Sequence, residues 1–100
     1  MRVRRGDLFR AGGRPHLVVS RDAFNDRTGT AIALPVARTP QNAGFPLSST
    51  LVTGRLPKRS WVKIGQVRTV STLRFGRRLG RVDAVEVDRI VEGLFDIVGP

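Results

Sequence analysis

Apolar residues along most of this chain fall in short alternating or β-branched runs separated by turn-forming clusters, the pattern of an antiparallel β protein. A first strand is expected at about Asp7–Arg10, where Leu8 and Phe9 sit between charges. Ala11-Gly12-Gly13-Arg14-Pro15 makes a tight connection into a second strand, His16-Leu17-Val18-Val19-Ser20. Asn25-Asp26-Arg27-Thr28-Gly29 reads as a loop, followed by a third strand at Thr30–Ala37 and a polar stretch at Arg38–Ala43. A fourth strand is expected around Leu47–Val52. Gly54–Arg59 then turns into a fifth, Ser60–Arg68, with the only tryptophan, Trp61, near its start. Arg77–Val82 predicts a short sixth strand.

The final segment changes period. Val87, Ile90, Val91, Leu94, Phe95 and Val98 stand at i, i+3, i+4, i+7, i+8 and i+11, one apolar stripe on a helix. Asp83 with Glu86 three residues later resembles a capping box, and Gly99-Pro100 ends the helix. The stripe is expected to pack on the open face of a strongly bent sheet. The resulting fold class is mostly β with a C-terminal α-helix, a small twisted β-barrel of SH3-like type, with residues 1–100 as one domain.

Charge sharpens the picture. Lysine and arginine number 18 against 8 acids, a net charge of +10, and 16 of the 18 are arginine, whose planar fork matches phosphate. Five of the acids (Asp83, Glu86, Asp88, Glu92, Asp96) lie in the helical segment, so the β region is strongly cationic. An arginine-favouring genome explains the choice of arginine over lysine but not the excess of base over acid. A nucleic acid is the expected partner. A membrane is not, since the chain shows no basic amphipathic helix and no long apolar run. Met1-Arg2-Val3-Arg4-Arg5-Gly6 lacks the apolar stretch of a signal peptide, and the absence of cysteine suits a reducing cytoplasm.

Most catalytic constellations are missing. There is no thiol and only one histidine, His16, so a two-histidine ribonuclease mechanism within one chain and a dedicated zinc site are excluded. No paired carboxylates stand out in the β region for two-metal chemistry, and Gly12-Gly13 lacks the spacing of a phosphate loop. No cofactor is expected. A nuclease built from this chain must lean on arginine. That is feasible for RNA, because the 2′-hydroxyl is a nucleophile already beside the phosphate.

Five segments carry a more specific signal. Arg5-Gly6-Asp7-Leu8-Phe9, Arg14-Pro15-His16-Leu17-Val18-Val19-Ser20, Ile32-Ala33-Leu34-Pro35-Val36, Gln66-Val67-Arg68-Thr69-Val70 and Leu79-Gly80-Arg81-Val82 follow one another before the final helix. In that order and spacing the chain resembles the MazF/PemK family of toxin endoribonucleases along nearly its whole length. The resemblance implies a twisted barrel of the CcdB–PemK type and a homodimer. It further implies metal-independent, sequence-selective cleavage of single-stranded RNA, and inhibition by a cognate antitoxin with an acidic segment.

Carried over residue by residue, the resemblance makes Arg14 the catalytic arginine of the Arg-Pro motif, against the alternative of a solvated turn residue. The family's second catalytic group, usually Thr or Ser at the end of the third strand, aligns with Ala37, which has no hydroxyl. Thr39 shares that face roughly 7 Å further along an extended strand and is the candidate substitute, provided the backbone bulges or slides. Ser20, Arg38, Gln66 and Arg68 are candidate RNA contacts, Gln66 and Arg68 on one face of the fifth strand. Each has a plainer alternative: a capped turn for Ser20, an ion pair for Arg68. His16 has the strand parity of Arg14 and the intrinsic pKa of a base, but the family tolerates varied residues at this position and a packed or surface histidine is the favoured reading. Trp61 and Phe45 suit base stacking or, more simply, core or interface positions. Two further readings stay open: a nucleic-acid-binding protein weakened in catalysis by Ala37, and a topoisomerase-trapping toxin of the related gyrase-poison type.

Overall fold

The computed structural model describes residues 2–100 as a seven-stranded antiparallel sheet curled into a half-barrel and closed by a C-terminal helix. The strands are β1 (Asp7–Ala11), β2 (Arg14–Val18), β3 (Thr30–Ala37), β4 (Ser49–Leu51), β5 (Ser60–Val62), β6 (Arg68–Ser71) and β7 (Arg78–Arg81). They run in the order β4-β5-β3-β2-β1-β7, with β6 also on β3. The helices are α1 (Asp22–Thr28) and α2 (Ala84–Val98). Among the described residues no helix is long and apolar enough to cross a membrane.

Strand alternation sends the two faces of the sheet to two cores. Leu8, Leu17, Leu34, Val36 and Val62 face inward and meet Val87 and Ile90 of α2, while Phe9, Val18, Ala31, Ala33 and Val70 face outward under Val3 and Phe75. Phe75 stacks on Phe9 with ring centroids 5.0 Å apart.

Three sequence expectations change. First, Asn25–Gly29 is not a loop but the end of α1. The helix is short and carries no apolar stripe; its anchor is polar. The buried Asn25 side chain donates to the carbonyls of Val3 and Ser20 and accepts from the Ser20 hydroxyl. Gly29, at φ +66°, terminates the helix in the left-handed region.

Second, Ser60–Arg68 is not one strand. β5 ends at Val62, Ile64–Gln66 form a 3₁₀ turn, and β6 begins at Arg68. Val62 pairs with Val36 and Arg68 with Ala33, so more chain lies on this side than β3 can pair. The excess leaves the ladder opposite Pro35, which has no N–H to offer; its carbonyl still accepts from Lys63 N at 2.9 Å.

Third, the capping box does not form. Asp83 makes no side-chain cap bond. Glu86 instead accepts from the Val52 and Thr53 amides, at 2.7 and 2.8 Å, and from the Thr53 hydroxyl. Thr53 Oγ1 in turn accepts from Asp83 N at 2.9 Å, serving the donor that the box would have served. The α2 stripe also packs only along its first half: Val87 and Ile90 are buried and Val91 and Leu94 partly so, while Phe95 and Val98 stay exposed.

Candidate nucleic-acid interface

The β1–β2 hairpin is the foundation of the site. Ala11 pairs with Arg14 across a two-residue connection, and Gly12 and Gly13 both hold positive φ (59° and 79°), as such a tight turn demands. Arg10 Nη1 donates to the Gly13 carbonyl at 3.0 Å and steadies the turn. Arg14 is therefore placed at the first residue of β2, exposed, on the outer face with His16 and Val18.

β6 brings Arg68 to the same face. Arg68 and Val70 alternate as Arg14 and His16 do, and Ala33 of β3 lies between the Val18 and Arg68 rows. With Arg74 from the 3₁₀ turn Thr72–Arg74, these side chains surround a recess of about 260 Å³ floored by Ala11 and Val70. Three arginines and one histidine thus line one recess, with the charges of Arg68 and Arg14 felt at the imidazole, and no carboxylate lines it. Among the described residues the ion pairs are Arg2–Asp26, Arg5–Asp88, Arg78–Asp7 and Arg81–Asp7, so Arg14, Arg68 and Arg74 have no acidic partner. The two largest recesses carry acids on their walls: Asp22 and Asp88 in one of about 450 Å³, Asp83 in one of about 590 Å³. Unbalanced positive charge favours phosphate, and acids on a wall oppose it.

His16 is buried beneath this rim, 3% exposed. Its Nδ1 lies 3.0 Å from the Arg14 carbonyl oxygen and its Nε2 has no partner. Burial is the main force lowering its pKa; the bond to the Arg14 carbonyl opposes this, and the charges of Arg68 and Arg14 reinforce it.

The remaining candidates from the sequence scatter. Arg38 lies in a second acid-free recess of about 280 Å³ with Arg10, Lys58 and Arg77, beside Pro15 on the other face of the hairpin. Thr39 is exposed in the bend after β3, where its carbonyl accepts from Gln41, and it does not line the Arg14 recess. Gln66 is exposed in the 3₁₀ turn and does not share a strand face with Arg68. The Ser20 hydroxyl donates to Asn25 and accepts from Ile32 N at 2.8 Å, so it is committed to anchoring α1. Phe45 lies under the Arg89 guanidinium, 4.8 Å from the ring centroid, and Trp61 under Arg59 at 5.6 Å. Arg74 is the residue that sequence reasoning missed, because nothing in its spacing links it to Arg14; the turn after β6 does. Among the described residues no three His, Cys, Asp or Glu side chains come together as metal ligands.

Comparison with known proteins agrees with this architecture. Residues 5–98 match the family described as PemK-like, MazF-like toxin of type II toxin-antitoxin system, and the chain belongs to that family. It is 30% identical over 96 residues to the probable endoribonuclease MazF2 of Mycobacterium tuberculosis, covering 92% of this chain and 94% of that one. Among solved structures it is similar to a MazE–MazF complex from Deinococcus radiodurans, with a TM-score of 0.84 and 26% identity over 100% of this chain and 99% of that one. A mycobacterial endoribonuclease shares the fold, with a TM-score of 0.86 at 23% identity over 99% of this chain and 93% of that one.

Proposed function

We propose that this chain is a sequence-selective endoribonuclease toxin that cuts single-stranded RNA in the cytoplasm and works without a metal ion. The observation that carries this reading is the convergence of Arg14, Arg68 and Arg74, none paired with an acid, on one recess. Attack by the 2′-hydroxyl builds negative charge on the phosphate oxygens, and preorganised guanidinium groups stabilise that charge more than the ground state. Arg14 is assigned the phosphate at the scissile bond and Arg68 and Arg74 its neighbours. The second cationic recess, with Arg10 and Arg38, extends the track across the hairpin. Ser20, Gln66 and Thr39 are left out of this scheme, since none of them lines the recess.

Control by an antitoxin follows the same electrostatics: an acidic, initially disordered segment competes with RNA for the recesses. Similar proteins have been solved in complex with MazE and with a cognate antitoxin, which supports an antitoxin as partner. We also assign a homodimer as the working form, for which a two-fold particle mass in solution is the test.

The missing hydroxyl at Ala37, which is half-buried on β3, favours one competing reading, a protein that binds RNA without cutting it. Incubation with a long mixed-sequence RNA in EDTA separates the two. New ends at recurring short sequences, carrying 2′,3′-cyclic phosphate and 5′-hydroxyl groups, are expected. Salt-sensitive binding with intact RNA would select the binding protein instead. Arrest of DNA synthesis ahead of protein synthesis in expressing cells would select the topoisomerase-trapping alternative.

A further inference from the structure

One polar atom of a side chain that lines the Arg14 recess has no partner in the fold. His16 Nε2 is buried and has no hydrogen-bond partner, an arrangement that costs roughly 1–3 kcal/mol and is retained nonetheless. Its sister atom settles its chemistry. Nδ1 faces the Arg14 carbonyl oxygen at 3.0 Å. A carbonyl oxygen only accepts, so Nδ1 holds the ring proton and Nε2 of the neutral ring is a bare lone pair.

The walls supply no competitor. Of the side chains lining the recess, Ala11 and Val70 are apolar and Arg14, Arg68 and Arg74 are donors only. The imidazole is the single side chain there able to take up a proton. The charged groups facing it are Arg14 from its own strand, Arg68 from β6 and Arg74 from the following turn, all cationic. A neutral ring beneath three guanidinium groups is therefore the resting state near neutral pH.

We propose that His16 Nε2 is the proton acceptor in RNA cleavage, taking the proton of the 2′-hydroxyl that attacks the phosphate held by Arg14. The inference rests on the nuclease reading above. In the step, the 2′-oxygen forms a bond to phosphorus as its proton passes to Nε2. The bond from phosphorus to the 5′-oxygen breaks, and the departing oxygen takes a proton from water. His16 then returns its proton to solvent, leaving a 2′,3′-cyclic phosphate and a 5′-hydroxyl. Access comes from the rim. The step requires that Nε2, buried in the resting protein, be uncovered, and the exposed Arg14, Arg68 and Arg74 side chains that line the same recess are the ones free to move. Hydrogen bonds of this kind tighten only in the complex with substrate.

The test is cleavage of a mapped oligonucleotide in EDTA from pH 5 to 9 by the wild-type protein, His16→Gln and His16→Ala. Binding is measured in parallel on the same oligonucleotide with a 2′-deoxy nucleotide at the cut site. The wild type is expected to lose kcat/KM as pH falls below neutrality. His16→Gln is expected to lose at least about 100-fold in rate and that acidic limb, with analogue binding within a few-fold of wild type. Added imidazole is expected to restore part of the His16→Ala rate. A folded His16→Gln that cleaves at the wild-type rate with the same pH profile overturns the inference and leaves the nuclease reading intact. If neither variant folds, a wild-type profile without an acidic limb overturns it. A wild-type protein that cuts no RNA removes the nuclease reading itself.

Discussion

The backbone carbonyl of Arg14 lies 3.0 Å from Nδ1 of His16, so the residue that presents a guanidinium to the recess also fixes the tautomer of the imidazole beneath it. The two are alternate residues of β2, on one face of the sheet, and the strand alone provides the spacing.

Burial of His16 links stability to pH. Its folded pKa lies below the ordinary value, so the unfolded chain binds the proton more readily. The contribution is fully present above about pH 6.5 and is lost as pH falls from there through the folded pKa. Melting temperatures of the wild type and His16→Gln, followed from pH 8 to pH 5, are expected to converge or cross as the wild type alone weakens. A constant difference across that range would contradict the assignment.

Glu86 ties α2 to the turn after β4 through the Val52 and Thr53 amides and the Thr53 hydroxyl. Glu86→Ala leaves two backbone donors without their charged acceptor and is expected to cost about 2 kcal/mol in urea unfolding. Hydrogen exchange at Val52 and Thr53 should quicken with it. An unchanged unfolding midpoint would mean that water replaces the carboxylate without loss.

Asp7 is buried and accepts from Arg81 Nη1 at 2.7 Å and Arg4 N at 2.9 Å, with Arg78 Nε at 3.2 Å. Asp7→Asn turns an acceptor into a donor facing donors and is expected to lower stability by about 2 kcal/mol. Arg81→Ala, which removes a partner of Asp7, should likewise act on the melting temperature rather than on the salt dependence of RNA binding.

The unpaired arginines behave oppositely. Arg68→Ala and Arg74→Ala are each expected to leave the melting temperature nearly unchanged. Each should reduce the slope of log K against log salt for single-stranded RNA by about 0.7. Titrations at several salt concentrations check this; a slope identical to wild type would remove that arginine from the phosphate track.

Much of this was legible in the residues. The run Thr30–Ala37 becomes β3 with those bounds, and the apolar spacing from Val87 onward becomes α2. Arg14 was visible through its Arg-Pro motif, and Arg68 through the segment that begins at Gln66. What stayed hidden depends on distant partners. α1 is held by Asn25 and Asp22 bonding to Val3, Ser20 and Arg5, and such polar anchoring leaves no periodic trace. The break between β5 and β6 reflects the demand of β3 around Pro35, unreadable from Ser60–Arg68 alone. Thr39 and Gln66 were placed by assuming regular strands across a bend and a 3₁₀ turn. Arg74 joins the site only because the chain turns after β6.

The central claim is that RNA is cut at the recess of Arg14. Single-turnover cleavage of a mapped oligonucleotide in EDTA, by the wild type, Arg14→Ala and the distant Arg27→Ala, tests it most directly. Arg14→Ala is expected to be slower by about 100- to 1000-fold with its fold intact, and Arg27→Ala to cut within a few-fold of wild type. An Arg14→Ala protein that cuts as fast as the wild type would contradict the account.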